Sequence, residues 1–192
     1  PYIVDGKLIR PFQQDETALT IWALEQMARA FPTDPRLGEW TEKLVRIPSD
    51  FMLEYRDANG LPLPSWDLWE ERRGVHAHSV ATVVRAFRSA AFLMDQVGDR
   101  GRSASYRQAS DKMLAAWNAH GWNAERQAYY RMLTPTPAGY EGDPTIDAAV
   151  LAFDEFGLSS EMPQFEMALQ TMRDRLAVQT STGGFARYEN DY

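Results

Sequence analysis

Residues 65–94 read SWDLWEERRGVHAHSVATVVRAFRSAAFLM. The second half carries Val80, Val83, Val84, Phe87, Ala91 and Met94 at i, i+3, i+4, i+7, i+11 and i+14, an apolar stripe with the period of a helix. The first half crowds Trp66, Asp67, Trp69, Glu70 and Glu71 together, just after the prolyl turn Leu61-Pro62-Leu63-Pro64. A solvated helix face rarely holds that much tryptophan, and a packed core rarely holds that much charge. An aromatic, acid-bearing segment therefore feeds straight into a buried helix.

Outward from this stretch the same period recurs. Gln14-Asp15-Glu16-Thr17 puts acids at the start of ALTIWALEQMARAF, where the helix dipole favours them, and apolar residues surround most of that helix. Asp34-Pro35 reads as a cap and first-turn proline for a second helix running to about Tyr55, which Pro48 is expected to kink or split. Asp57-Ala58-Asn59-Gly60 is a turn, and Gly98 ends the central helix. A fourth helix carries Tyr106, Ala109, Met113, Ala116 and Trp117 and closes near Gly121. Asp143-Pro144 is expected to open a fifth with Ile146, Ala149, Val150 and Phe153; a sixth carries Phe165, Ala168, Leu169, Met172 and Leu176. The reading is all-α: antiparallel helical hairpins with almost no strand, Tyr129 to Leu133 being the one short candidate.

Bulk composition narrows the partners. The chain has 192 residues, enough for one domain with a real core, with 44% hydrophobic and 24% charged residues. A net charge of −7 lacks the basic footprint of a phosphate-backbone binder, so nucleic acid is not an expected partner. No apolar run approaches the roughly 20 residues needed to cross a bilayer, so no membrane partner is expected. With no cysteine, disulfides and thiolate metal sites are excluded. His76 and His78 with Glu70 or Glu71 do not match a zinc spacing, no Gly-rich phosphate loop precedes a helix, and Ser65, Ser79 and Ser105 lack a nucleophile elbow. No metal and no cofactor are expected.

The long connections at 56–76, 120–144 and 178–192 hold Trp66, Trp69, Trp122, Tyr129, Tyr130, Tyr140, Phe185 and Tyr188, and are expected to gather at one end of the helices. Trp22, Trp40 and Trp117 lie on helical stripes and are assigned to the core. Saccharides suit such loops, because aromatic faces cover their C–H faces while carboxylates and arginines meet their hydroxyls. Glycosidic cleavage needs one protonated and one ionised carboxyl group. Burial or a like-charged neighbour keeps a Glu protonated, and Trp69-Glu70-Glu71 offers both. The plainer alternatives are a partly exposed helix start for Glu70-Glu71, and for Arg72-Arg73 a solvated pair or a partner of Glu70 and Asp67.

SWDLWEERRGVH resembles the acid-bearing segment of the glucoamylase-like inverting α-glycosidases, glycoside hydrolase family 15. Arg10-Pro11 through Gln14-Asp15-Glu16-Thr17-Ala18-Leu19 is similar to that family's helix opening. Asp147-Ala148-Ala149-Val150-Leu151 and Gly183-Gly184-Phe185-Ala186-Arg187-Tyr188-Glu189-Asn190-Asp191 are similar to two later motifs. The resemblance implies about six helices of a twelve-helix (α/α)6 barrel, a partial catalytic domain over 1–192, acting on an oligosaccharide or α-glucoside. It implies Glu70 as general acid, Glu71 as a sugar contact and like-charged neighbour, Trp69 along the substrate, Arg187 on sugar hydroxyls, Trp66 as a further substrate-binding ring, and Asp67 and Asp191 as supports. Two departures follow: Leu8-Ile9 stands where the family has a binding tryptophan, and no residue matches the surroundings of the catalytic base. Residues 1–192 alone are therefore not expected to turn over substrate, and uncovered helix faces are expected to favour self-association. The alternative is a non-catalytic helical-hairpin module that binds saccharide or protein; a sugar epimerase or lyase ranks below it.

Overall fold

The computed structural model describes residues 12–191, together with the backbone of two short antiparallel strands, β1 (Tyr2–Val4) and β2 (Lys7–Ile9). The Arg10-Pro11 part of the helix-opening motif lies outside the described residues. Helix α1 (Gln14–Ala30) begins with Asp15 and Glu16 in its first turn. A second continuous helical rod follows as α2 (Leu37–Trp40), a π-helical segment over Thr41–Arg46, and α3 (Ile47–Glu54). Pro48 neither splits nor ends this rod. It sits in the first turn of α3, just beyond the π segment, where a proline without an N–H leaves no broken i→i−4 bond behind.

The centre of the molecule is α4 (Ala77–Gln96), buried along most of its length, with α1 on one side and α5 (Arg100–His120) on the other. Gly98 takes φ 81° and Asp99 caps α5 by accepting the Arg102 N–H, so the reversal between α4 and α5 needs only a few residues. The core rings are stacked in pairs, Phe87 on Tyr106 and Trp117 on Phe153. Trp117 is fully buried, while Trp22 and Trp40 pack against the core with part of each ring in solvent.

The all-α expectation needs correction. Strands β3 (Ser65–Trp66), β4 (Arg73–His76), β7 (Met132–Thr136) and β8 (Gly139–Asp143) form a four-stranded antiparallel sheet in that order. Strands β5 (Trp122–Asn123) and β6 (Ala128–Tyr129) form a separate hairpin. Close approach explains one sequence choice in the sheet: a Cβ on Gly142 would lie 2.5 Å from the Tyr130 ring.

Beyond the sheet, the fifth helical segment starts later than Asp143. A 3-10 turn over Ala148–Leu151 leads into α6 (Ala152–Glu155), and its cap is Asp147, whose Oδ1 accepts the Ala149 N–H at 2.8 Å. Asp143 is instead the end of β8, paired with Arg131. The last helix is α7 (Phe165–Leu176). A short 3-10 turn over Ser159–Glu161 stands between α6 and α7, and a sheet that was not expected joins the helices at one end. Leu44, Ile47 and Phe51 are exposed along the π segment and α3, and Leu151 and Phe185 along the far edge.

Candidate active site

The acid-bearing segment is the loop of the β3–β4 hairpin, residues 67–72, and Asp67 builds it. Its backbone N–H donates to Arg72 O, its carbonyl accepts the Glu70 N–H, and its carboxylate accepts the N–H groups of Glu71 (2.7 Å) and Arg72 (3.0 Å). Gln13, just before α1, adds its side-chain amide to the Asp67 carbonyl at 3.0 Å. This closure places Glu70 at φ 58°, a left-handed conformation uncommon for a side chain of that kind. Asp67 itself is buried. Replacing it with Ala removes the charged acceptor of the Glu71 and Arg72 N–H groups, so Asp67→Ala is expected to lose about 1–3 kcal/mol in urea unfolding. An unchanged midpoint would refute the role of Asp67 as the organiser of the loop.

The second contributor is the arm at 183–191. Arg187 donates from Nε to Asp191 Oδ2 at 2.8 Å and from Nη2 to Oδ1 at 2.6 Å, a bidentate pair whose carboxylate is enclosed. The Arg187 guanidinium lies over the Trp69 ring at 5.1 Å, and its Nη1 is 3.7 Å from Glu71. Tyr188 donates its hydroxyl to Glu71 Oε2 at 2.9 Å and is flanked by the guanidinium groups of Arg72, Arg131 and Arg187. Arg72 completes the set by donating to Glu71 at 2.6 Å. The Tyr188 hydroxyl and then Arg72 hold the Glu71 carboxyl below its ordinary pKa, and Arg187 holds Asp191 low in the same way.

Beneath Trp69 lies a polar pocket lined by Asp67, His76, His78, Arg131 and Asp147. The Trp69 indole N–H faces both Asp147 oxygens at 3.3 Å. Burial drives the Asp147 carboxyl pKa up and the His76 imidazole pKa down. His78 Nδ1 is 3.0 Å from Asp15 Oδ2 at the start of α1.

The structure brings Trp69, Glu71, Arg187 and Asp191 together beside the Glu70 turn. Trp66 stands apart in β3, half-buried, with its backbone N–H on Phe12 O. Glu70 is exposed, so the described residues do not supply the burial expected of a carboxyl kept protonated. The Glu71 charge is countered by Arg72 and Arg187, which weakens its effect as a like-charged neighbour. Of the pair Arg72-Arg73, expected to be solvated or to partner Glu70 and Asp67, Arg73 is exposed, while Arg72 gives its backbone N–H to Asp67 and its guanidinium to Glu71. The aromatic loops converge only in part: Trp122 and Tyr129 meet edge to face, with Tyr129 against Phe153, and Tyr140 bonds Asp57 and Asn59 at a separate turn. Two participants were not picked out in the sequence. Tyr188 and Asp147 each stood in a quoted motif, but neither was given a role there, and the ring partner of Asp147 lies 78 residues away.

The family model for glycosyl hydrolases family 15 matches residues 3–191. The chain belongs to that family. Among solved structures, it is similar to a bacterial glucoamylase complexed with acarbose, at 18% identity and a TM-score of 0.74, over 95% of this chain and 28% of that one. A rhamnosidase from Klebsiella oxytoca with rhamnose bound follows at 16% identity and 0.61, over 89% of this chain and 32% of the other. A family 78 rhamnosidase of Bacillus sp. GL1 gives 16% and 0.59, over 86% and 21%. No curated protein matches the chain in sequence. The likeness to glucoamylase is one of fold, and the family 15 chain spans under a third of the glucoamylase's length. Membership makes this a chain of a glycoside hydrolase family, with a glucoamylase-like helical architecture.

Proposed function

We propose that this family 15 chain is the acid-bearing part of an inverting, exo-acting α-glycoside hydrolase of the glucoamylase, glucodextranase or trehalase kind, forming part of an (α/α)6 catalytic unit. The observation that carries the reading is the packing of Trp69, Glu71, Arg187 and Tyr188 around the Glu70 turn. Glu70 is the general acid and gives its proton to the departing glycosidic oxygen. Trp69 offers a ring face to the sugar, Arg187 meets its hydroxyls and Asp191 holds Arg187 in place. Glu71 accepts a sugar hydroxyl at the edge of the same cluster, Trp66 extends the aromatic surface, and Asp67 fixes the acid loop. A sugar seated on Trp69 removes water from the exposed Glu70, and that desolvation favours the protonated acid.

No described carboxylate is assigned as the base, so the isolated chain is expected to bind substrate without turning it over. An inverting reaction needs a second carboxyl group about 6.5–9.5 Å from the first, with water between them. The test follows hydrolysis of an oligosaccharide or α-glucoside by NMR, in a protein containing this chain. Inversion releases the β-anomer first; early α-anomer would defeat the mechanism.

The exposure of Glu70 favours a second reading, a helical-hairpin module that binds saccharide without cleaving it. Saturable sugar binding with no hydrolysis, in a protein containing this chain and a candidate base, would decide for it.

A further inference from the structure

Asp147 caps the 3-10 turn that leads into α6, yet the cap occupies only one of its oxygens. Oδ1 accepts the Ala149 N–H, while both oxygens face the Trp69 indole N–H. The same residue forms an isolated antiparallel bridge with Tyr188, reinforced by Ala148 N–H to Arg187 O at 2.8 Å and Glu189 N–H to Ile146 O at 2.9 Å. Asp147 is thus joined both to the ring of Trp69, through its carboxylate, and to the arm that carries Arg187, through its backbone, and it is 3% exposed. The Arg187 guanidinium closes the triangle from above, over the same ring. Resting on the reading of Trp69 as a sugar contact, we propose that Asp147 is a positioning residue: its buried carboxylate sets the plane of the Trp69 ring, while its backbone bridge to Tyr188 keeps the Arg187–Tyr188 arm in register with that ring.

The charge of Asp147 is part of this role. Burial raises its pKa, whereas the Ala149 and Trp69 N–H groups and the nearby Arg131 act in the opposite direction. Arg131 is itself anchored to Asp143 through Nε and Nη2 at 2.8 and 2.7 Å, so its charge is fixed in place beside the pocket. Helix capping does not demand a carboxylate, since Ser and Asn cap as well as Asp. A serine would keep the cap but could not reach the indole. An asparagine would turn a second donor toward the Trp69 N–H.

Both replacements can be tested in a protein containing this chain, labelled with 5-fluorotryptophan and 15N. The Trp69 signals are assigned by their absence in Trp69→Phe. In Asp147→Ser, the Trp69 fluorine and indole N–H resonances are expected to move, and the indole N–H to exchange with solvent at least about tenfold faster, as for a lost bond to a charged acceptor. The other five tryptophan signals of the six in the chain should stay in place. Asp147→Asn should shift the same resonances by a smaller amount, which keeps the test open if the serine variant folds poorly. Unchanged Trp69 signals in both variants would overturn the proposal. Shifted signals with full hydrolytic activity would uphold the positioning role and sink instead the reading of Trp69 as a substrate contact.

Discussion

Glu70→Gln is expected to lower kcat roughly a thousand-fold on an α-glucoside with a sugar leaving group, in a protein containing this chain. General acid catalysis contributes about 10²–10⁴ in rate, so the midpoint corresponds to about 4 kcal/mol of barrier. The substitution is nearly isosteric and leaves the backbone demand at φ 58° as it was, since glutamine and glutamate meet the same steric cost there. The loop should therefore survive, because Asp67 and backbone groups close it. A leaving group that needs no proton separates chemistry from structure. With an α-glucosyl fluoride, Glu70→Gln should lose far less activity than with the oligosaccharide. Equal losses on both substrates would remove Glu70 from the role of acid and make it a binding or structural residue.

How much of this arrangement was legible in the sequence depends on what each residue's surroundings require. The helices were, because the large apolar residues from Val80 to Met94 and from Tyr106 to Trp117 repeat at the helical period. The sheet was not. Its strands are two to five residues long, and β8 is Gly-Tyr-Glu-Gly-Asp, poor in the β-branched residues that mark a strand. Pairing with β7 across a tight turn at Gly139 (φ 130°) sets it, not propensity. The cap at Asp147 was passed over for Asp143-Pro144, a stronger local signal that the ion pair with Arg131 diverts into the sheet. At the site, the sequence named Trp69, Glu70, Glu71, Arg187 and Asp191 in two segments that the fold brings together. The pairs Arg72–Glu71 and Arg187–Asp191 are local, but the contacts that join the two segments span more than a hundred residues. Tyr188 on Glu71 is such a contact, and adjacency in sequence carries no trace of it.

The largest effect on stability is expected far from that site, at Glu25. It is 1% exposed on the face of α1 that meets α4, an expensive place for a carboxylate. Four donor contacts compensate: Ser89 Oγ at 2.6 Å and Arg85 Nη2 at 2.5 Å on Oε2, with Arg29 Nε at 2.8 Å and Nη2 at 2.7 Å on Oε1. Burial pushes the Glu25 pKa up, but the hydrogen bonds of Ser89 and Arg29 and the charges of Arg85 and Arg29 outweigh it, and the net direction is down from 4.5. Glu25→Gln turns an amide donor toward one of two guanidinium groups and strips both of their counter-charge. Breaking a buried pair in this way costs about 3–5 kcal/mol; since Arg29 and Arg85 keep partial access to water, about 3 kcal/mol is expected in urea unfolding at pH 7. A carboxyl whose folded pKa lies below its unfolded one stabilises fully above about 4.5 and loses that contribution as pH falls through the folded value. The gap between the native protein and Glu25→Gln should therefore hold at neutral pH and narrow below about pH 4.5, where a protonated Glu25 resembles the glutamine that replaced it. Parallel stability curves down to pH 3 would show that the charge of Glu25 contributes nothing and that only its shape matters.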